Sequence, residues 1–367
     1  MSSDDSLTPG QTAASHATQW RFALGAPRLS ATIKQAFEDF QVDEDLGFTP
    51  TGEGEHLCLH VSKTNLSTTD IARRLSEVVG ASDRNIGYAG MKDRRGICTQ
   101  WFSIPWHEHA LERLAASEDD SFRVLGSARN QRKIRIGSHK GNHFRLRLRN
   151  CEGTQGAFEE RLQSIQATGV PNYFGQQRFG HNMSNLQQVH ALFQEDTQNS
   201  RQRKGKRYGM LLSAARSYLF NEVLSARIEQ NNWNKYVPGD VMGLDGTTRF
   251  FVPGPNSPWD AELERRLAEF DIHITGPLAG RRESGDRYTT SGEAADIEEM
   301  VLTQFPDLLA GLESRGVVAA RRSLRFRPGQ LQWQWQDGDL LLQFFLSRGC
   351  YATSLLRELC VINEPSK

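Results

Sequence analysis

Net charge is what this chain lacks first: 44 Lys and Arg face 44 Asp and Glu, a formal balance of zero. That excludes a protein that holds nucleic acid by bulk positive charge, although it leaves local patches open. Cysteine is sparse and scattered, at Cys58, Cys98, Cys151, Cys350 and Cys360. No CxxC pair occurs, so neither a zinc ribbon nor a disulfide framework is indicated. Apolar runs are too short to span a bilayer. Met1-Ser2-Ser3-Asp4-Asp5 also lacks the basic and then apolar order of a signal peptide. A cytoplasmic protein with no membrane contact is expected. Residues 1–20, polar and rich in Ser and Thr, read as disordered.

What is present is charge segregation. Ser121 to Asn150 contains nine Lys and Arg and no Asp or Glu, and Arg201 to Arg207 forms a second basic knot. Acidic residues gather at Glu38 to Asp45 and at Glu118 to Asp120. Such a distribution suits phosphate binding on one face of a neutral chain, or simply a solvated surface. The length of 367 residues accommodates two domains.

Periodicity supplies the elements. Thr69 is placed to cap a helix from Asp70 to about Val79 that buries Ile71, Leu75, Val78 and Val79 and ends at Gly80. Phe144, Leu146 and Leu148 alternate with Arg145, Arg147 and Arg149, which is strand periodicity. A helix is expected after Ser213, striped by Leu219, Phe220, Val223, Leu224 and Ile228. Gln330 to Leu346 reads as a hairpin turning at Asp337-Gly338. Gly169-Val170-Pro171 marks a candidate domain boundary, and loops are expected at Pro253-Gly254-Pro255 and from Arg281 to Gly292. Gly52-Glu53-Gly54 lacks the Lys and third glycine of a phosphate loop. His107-Glu108-His109 has no third metal ligand nearby; both read as surface.

The chemically loaded segment is Gly87-Tyr88-Ala89-Gly90-Met91-Lys92-Asp93-Arg94-Arg95-Gly96. It places one carboxylate among three cations on a glycine-bounded loop between a strand end at Ile86 to Ala89 and a strand from Ile97 to Ile104. Lys92, Arg94 and Arg95 would favour the ionised form of Asp93, which suits a nucleophile or base. By itself the cluster also fits a solvated surface group.

This loop resembles the motif around the nucleophilic aspartate of the TruD family of tRNA pseudouridine synthases. Also similar are Asp39-Phe40-Gln41-Val42-Asp43-Glu44, Gly52 to His56, Gly141-Asn142-His143-Phe144, Asn172-Tyr173-Phe174-Gly175-Gln176-Gln177-Arg178-Phe179-Gly180, Ser213 to Ser217 and Tyr351-Ala352-Thr353-Ser354. They follow the family's order from about Asp39 to Leu359. The resemblance implies an α+β fold whose catalytic domain has a mixed, largely antiparallel sheet flanked by helices. That domain would comprise 21–167 and 326–367, around an inserted α/β domain at 168–325.

The reaction the resemblance implies breaks the bond from ribose C1′ to uracil N1, turns the base and joins C1′ to C5. It is an isomerisation that requires no cofactor and no metal. Asp93 would form a transient covalent adduct with the ribose or the uracil. Phe40, Asn142, Phe144 and Tyr351 match the family's substrate pocket, although the family commonly has Phe at the last of these. Lys92 and Arg94 would hold the carboxylate ionised or contact phosphates. Phe144 shares its strand face with Leu146 and Leu148, so a core role competes with base contact. The partner implied is tRNA, modified at uridine 13 of the D arm, with no obligate protein partner. The alternatives are the same isomerisation on another RNA, or a non-catalytic RNA-binding or RNA-folding protein on this scaffold.

Overall fold

The computed structural model describes residues 20–194, 205–254, 258–283 and 288–365. The chain is α+β and sorts into two compact units. One comprises the described residues of Arg28–Glu159, Pro328–Cys350 and Leu359–Lys367; the other takes those of Met1–Pro27, Glu160–Arg327 and Tyr351–Glu358.

The first unit is built on a ten-stranded mixed sheet. Its strands are β1 (Ser30–Thr32), β2 (Phe40–Asp45), β3 (His56–Thr64), β4 (Gly87–Tyr88), β5 (Ile97–Pro105), β6 (Phe122–Asn130), β7 (Gly141–Glu152), β8 (Gly329–Gln336), β9 (Asp339–Ser347) and β10 (Val361–Asn363). The main path runs β8-β9-β7-β2-β5-β3-β6, with β1 joining β7 and β10, and β4 joining β5. The β2–β5 and β1–β10 pairings are parallel; the other pairings of the sheet are antiparallel.

Local chemistry accounts for the elements. On β7, Phe144, Leu146 and Leu148 are buried as the alternation requires. The opposite face is not a row of free cations. Arg145 pairs with Asp43 at 2.9 Å, Arg147 with Asp339 at 2.6 Å and Arg149 with Asp39 at 2.8 Å. Much of the basic stretch is therefore neutralised by carboxylates distant in sequence. Asp337 and Gly338, both at positive φ (52° and 85°), turn β8 into β9, as a two-residue hairpin loop demands.

Helix α1 (Thr68–Val79) ends on Gly80 at φ 67°, as expected, but its cap is Ser67 rather than Thr69. Ser67 Oγ accepts from Asp70 N at 3.1 Å, and Asp70 accepts from Ser67 N at 2.8 Å. An acidic residue at the third helical position selects the residue three before it as cap, and that is Ser67.

The second unit centres on the helix Lys206–Glu229, which starts upstream of Ser213 and buries Leu219, Phe220, Val223, Leu224 and Ile228. A four-stranded sheet of Met242–Leu244, Phe250–Phe251, Ile272–Leu278 and Ala320–Ser323 belongs to this unit. Of the second basic knot, 201–204 lie outside the described residues, as do 1–19, 255–257 and 284–287 of the expected loops and terminus. Among the described residues no helix is long and apolar enough to cross a membrane.

Candidate active site

Asp93 sits on the loop between β4 and β5, and its carboxylate is 38% exposed. The loop is tied down by a buried polar lattice. Gln100 Nε2, on β5, donates to Gly90 O at 2.6 Å. Thr68 Oγ1 donates to Gln100 Oε1 and accepts from Lys92 N, each at 2.9 Å. Gly96 closes the loop at φ 149°, where a Cβ would lie 2.5 Å from Phe40 O. A side chain there would have to displace β2.

The cation beside the carboxylate is not one of its sequence neighbours. Lys34 Nζ lies 3.4 Å from Asp93 Oδ1 and 4.4 Å from the centre of the Phe40 ring. Lys92 turns away and forms a buried ion pair with Glu44, whose other oxygen accepts from Trp101 N at 3.1 Å. Arg94 is exposed and donates to Asn65 O at 3.3 Å, while Arg95 reaches Pro365 O at 3.5 Å. Each of these three cations has a partner elsewhere, so sequence proximity overstated their contact with the Asp93 carboxylate.

Beneath the loop lies Lys63, fully buried. Its ammonium donates to Asp93 O at 2.7 Å and to Leu66 O at 2.6 Å, joining the Asp93 main chain to the lead-in of α1. Burial pushes the Lys63 pKa below its usual value, against the opposing influence of Cys98 and Asp93. Burial likewise raises the Cys98 thiol. Lys63 was visible in principle: after Leu59 and Val61 it occupies the next core-facing position of β3. Lys34, in an irregular stretch at φ 59°, carries no comparable sequence signal.

The expected base-lining residues divide between the units. Phe40 and Phe144 are buried in the first unit, with ring centres 6.3 Å apart, and Phe144 stacks on Phe344 at 5.2 Å. Phe144 is 9% exposed, so most of its ring serves the core. Asn142 lies between Glu44 and Leu346 in the sheet register. Its Oδ1 is buried and has no hydrogen-bond donor among the described residues. Such an acceptor is costly to leave unsatisfied. Tyr351 belongs to the second unit, where its hydroxyl accepts from Arg178 at 3.1 Å and its ring lies 6.2 Å from Phe174.

Next to the loop, His139 packs against Gly90 and is nearly buried. Burial, and then the charge of Lys92, lower its pKa below 6.5. His109, at the other candidate cluster, is exposed and contacts Glu112 at 3.3 Å. Among the described residues no group of three or more His, Cys, Asp or Glu is placed to hold a metal ion.

The site therefore offers an accessible carboxylate, a cation to orient it, a rigid floor and a buried, unsatisfied amide acceptor. Comparison with known proteins bears on its use. The family model described as tRNA pseudouridine synthase D (TruD) matches residues 19–203 and 201–359. A tRNA pseudouridine synthase D of Xanthomonas campestris pv. campestris is 42% identical over 348 residues, covering 92% of this chain and 93% of that protein. Those of Methylococcus capsulatus and Aeromonas hydrophila subsp. hydrophila are 42% and 40% identical, covering 92% and 94% of this chain and 93% and 95% of their own. In fold, the chain resembles a Methanosarcina mazei structural-genomics target described as a candidate TruD, with a TM-score of 0.71 at 23% identity. That match covers 92% of this chain and 95% of the other.

Proposed function

Since the chain belongs to the TruD family of tRNA pseudouridine synthases, we propose that it isomerises uridine 13 of the tRNA D arm to pseudouridine, with Asp93 as the nucleophile. The observation that carries this reading is the exposed Asp93 carboxylate, ion-paired to Lys34 and anchored through its main chain by Lys63. The unit that holds Asp93 is the catalytic domain, and residues 168–325 are the insertion into it. With tRNA as its substrate, the protein would act in the cytoplasm.

The reaction is balanced within the nucleoside. The C1′–N1 bond breaks, a C1′–C5 bond forms, the proton on C5 is lost and N1 gains one. An aspartate adduct divides this into two easier steps and holds the nucleoside while the base turns. Lys34 orients Oδ1 and opposes its charge before attack. The target uridine has to leave its stack, as enzymes acting on a base require. Asn142 Oδ1 is free to accept from uracil N3–H, which would satisfy that buried oxygen. Phe40 and the exposed edge of Phe144 form the apolar wall. Lys92 acts through Glu44 to hold the loop, whereas exposed Arg94 is available to a phosphate.

Site-resolved pseudouridine mapping of unmodified tRNA treated with wild type or Asp93→Asn tests the reading. Product at position 13 with wild type only, and tRNA affinity within a few-fold for both, is the expected result. Product from Asp93→Asn would remove Asp93 as nucleophile. Product elsewhere, or none with tRNA still bound, would redirect the assignment to another RNA or to binding alone.

A further inference from the structure

The segment Gln131–Lys140 connects β6 to β7 and runs beside the strand that leads to Asp93. A Cβ on Gly87 would meet Ile134 O at 2.4 Å, Gly137 N donates to Ala89 O at 2.7 Å, and His139 packs on Gly90. At its apex is a turn closed by Ser138 N to Arg135 O at 3.1 Å, with Gly137 at φ 81°. Ile136 takes the corner of this turn and is 76% exposed, more than any other large apolar side chain described.

Nothing about this segment is loose. Ile134 N donates to Ser103 Oγ at 2.9 Å, Lys133 reaches Arg84 O, and Arg348 donates to Gly137 O at 2.7 Å. The fold thus holds an isoleucine rigidly in water, where hydration disfavours it. Met91, 60% exposed, lies on the adjoining nucleophile loop. Arg132 and Arg135 are exposed and have no side-chain partner among the described residues, in contrast to Arg145, Arg147 and Arg149 on the neighbouring strand. An apolar tip preceded by two unpaired cations fits a stacked polyanion: the guanidinium groups meet phosphates, and the side chain enters between bases.

We infer that the turn Arg135–Ser138 is an unstacking wedge, in which Ile136 fills the stack beside the extruded uridine while Arg132 and Arg135 grip the flanking phosphates. The inference rests on the functional reading above and extends it to how the base is exposed.

The test uses the full chain, a tRNA transcript with 2-aminopurine next to the target uridine, and Ile136→Ala and Ile136→Leu. At saturating tRNA, Ile136→Ala is expected to slow single-turnover product formation by about ten-fold, because the inserted side chain no longer offsets the cost of unstacking the base step. Ile136→Leu restores it. In the Asp93→Asn background, binding brightens 2-aminopurine, and adding Ile136→Ala abolishes that rise. Thermal unfolding stays unchanged, because the side chain is exposed. A wild-type rate and full fluorescence rise for Ile136→Ala would overturn the wedge alone. A wild-type protein that makes no pseudouridine would overturn the functional reading, and the wedge with it.

Discussion

Replacing Lys63 with methionine examines how the loop that carries Asp93 is held. The side chain keeps a similar length and apolar stem but loses the ammonium, leaving the carbonyls of Asp93 and Leu66 without the bonds of 2.7 and 2.6 Å. Each stranded buried acceptor costs about 1–3 kcal/mol, and relief from burying a lone cation returns part of that. A net loss of about 3 kcal/mol is expected, seen as a fall of roughly 5–10 °C in the unfolding of this unit. Catalysis suffers separately, because a displacement of about 1 Å at a reacting group costs on the order of 100-fold. That loss would appear in kcat, with tRNA affinity retained. The pH dependence has a definite sign. Burial lowers the folded pKa of Lys63 below 10.5, so between that lowered value and 10.5 the unfolded chain binds more protons. Wild-type stability therefore rises with pH relative to Lys63→Met across that window. Calorimetry from pH 7 to 10 measures it. A variant with wild-type melting and turnover, or a stability gap that shrinks with rising pH, would refute the argument.

Two further outcomes follow from the same site. Burial alone would raise the pKa of Asp39, but hydrogen bonds from Arg149 and Ala36 N and the charges of Arg149 and Arg147 bring it below 3.8. Asp39→Asn should therefore lose about 2 kcal/mol at neutral pH, a difference that fades as the pH falls from the ordinary value of 3.8 down through the lowered folded one; a gap independent of pH would count against the pair. Phe144→Ala should lower stability by about 3 kcal/mol in denaturant unfolding, as large core truncations do, together with activity. Loss of activity with stability intact would instead assign the whole ring to the substrate.

The sequence revealed what short-range patterning controls. The alternation at Phe144, Leu146 and Leu148, the Asp337-Gly338 turn and the carboxylate-bearing loop each depend on a few adjacent residues. What stayed hidden depends on pairing across the sheet. Lys34 reaches Asp93 across 59 positions, Glu44 captures Lys92 across 48, and Asp339 reaches Arg147 across 192. No local pattern carries such partners, so the cations flanking Asp93 in sequence looked like its electrostatic setting. Arginines that looked available for RNA were already occupied. Within the basic stretch from Arg123 to Arg149, Arg132 and Arg135 of the β6–β7 connection are the arginines whose guanidinium groups have no partner among the described residues.

The parallel pairing of β1 with β10, Ser30 against Val361, has a consequence for biosynthesis. At about 5–20 residues per second, the first of these strands leaves the ribosome tens of seconds before the last. Lys34 lies two residues past the end of β1, and Glu364, 3.8 Å from its ammonium, directly follows β10. During that interval the cation paired with Asp93 is attached to a strand that lacks its parallel neighbour. Nascent chains and premature-stop products would then share an unpaired sheet edge open to proteases and chaperones. Activity would be acquired late, with the closing of the last strand, rather than gradually as the chain lengthens.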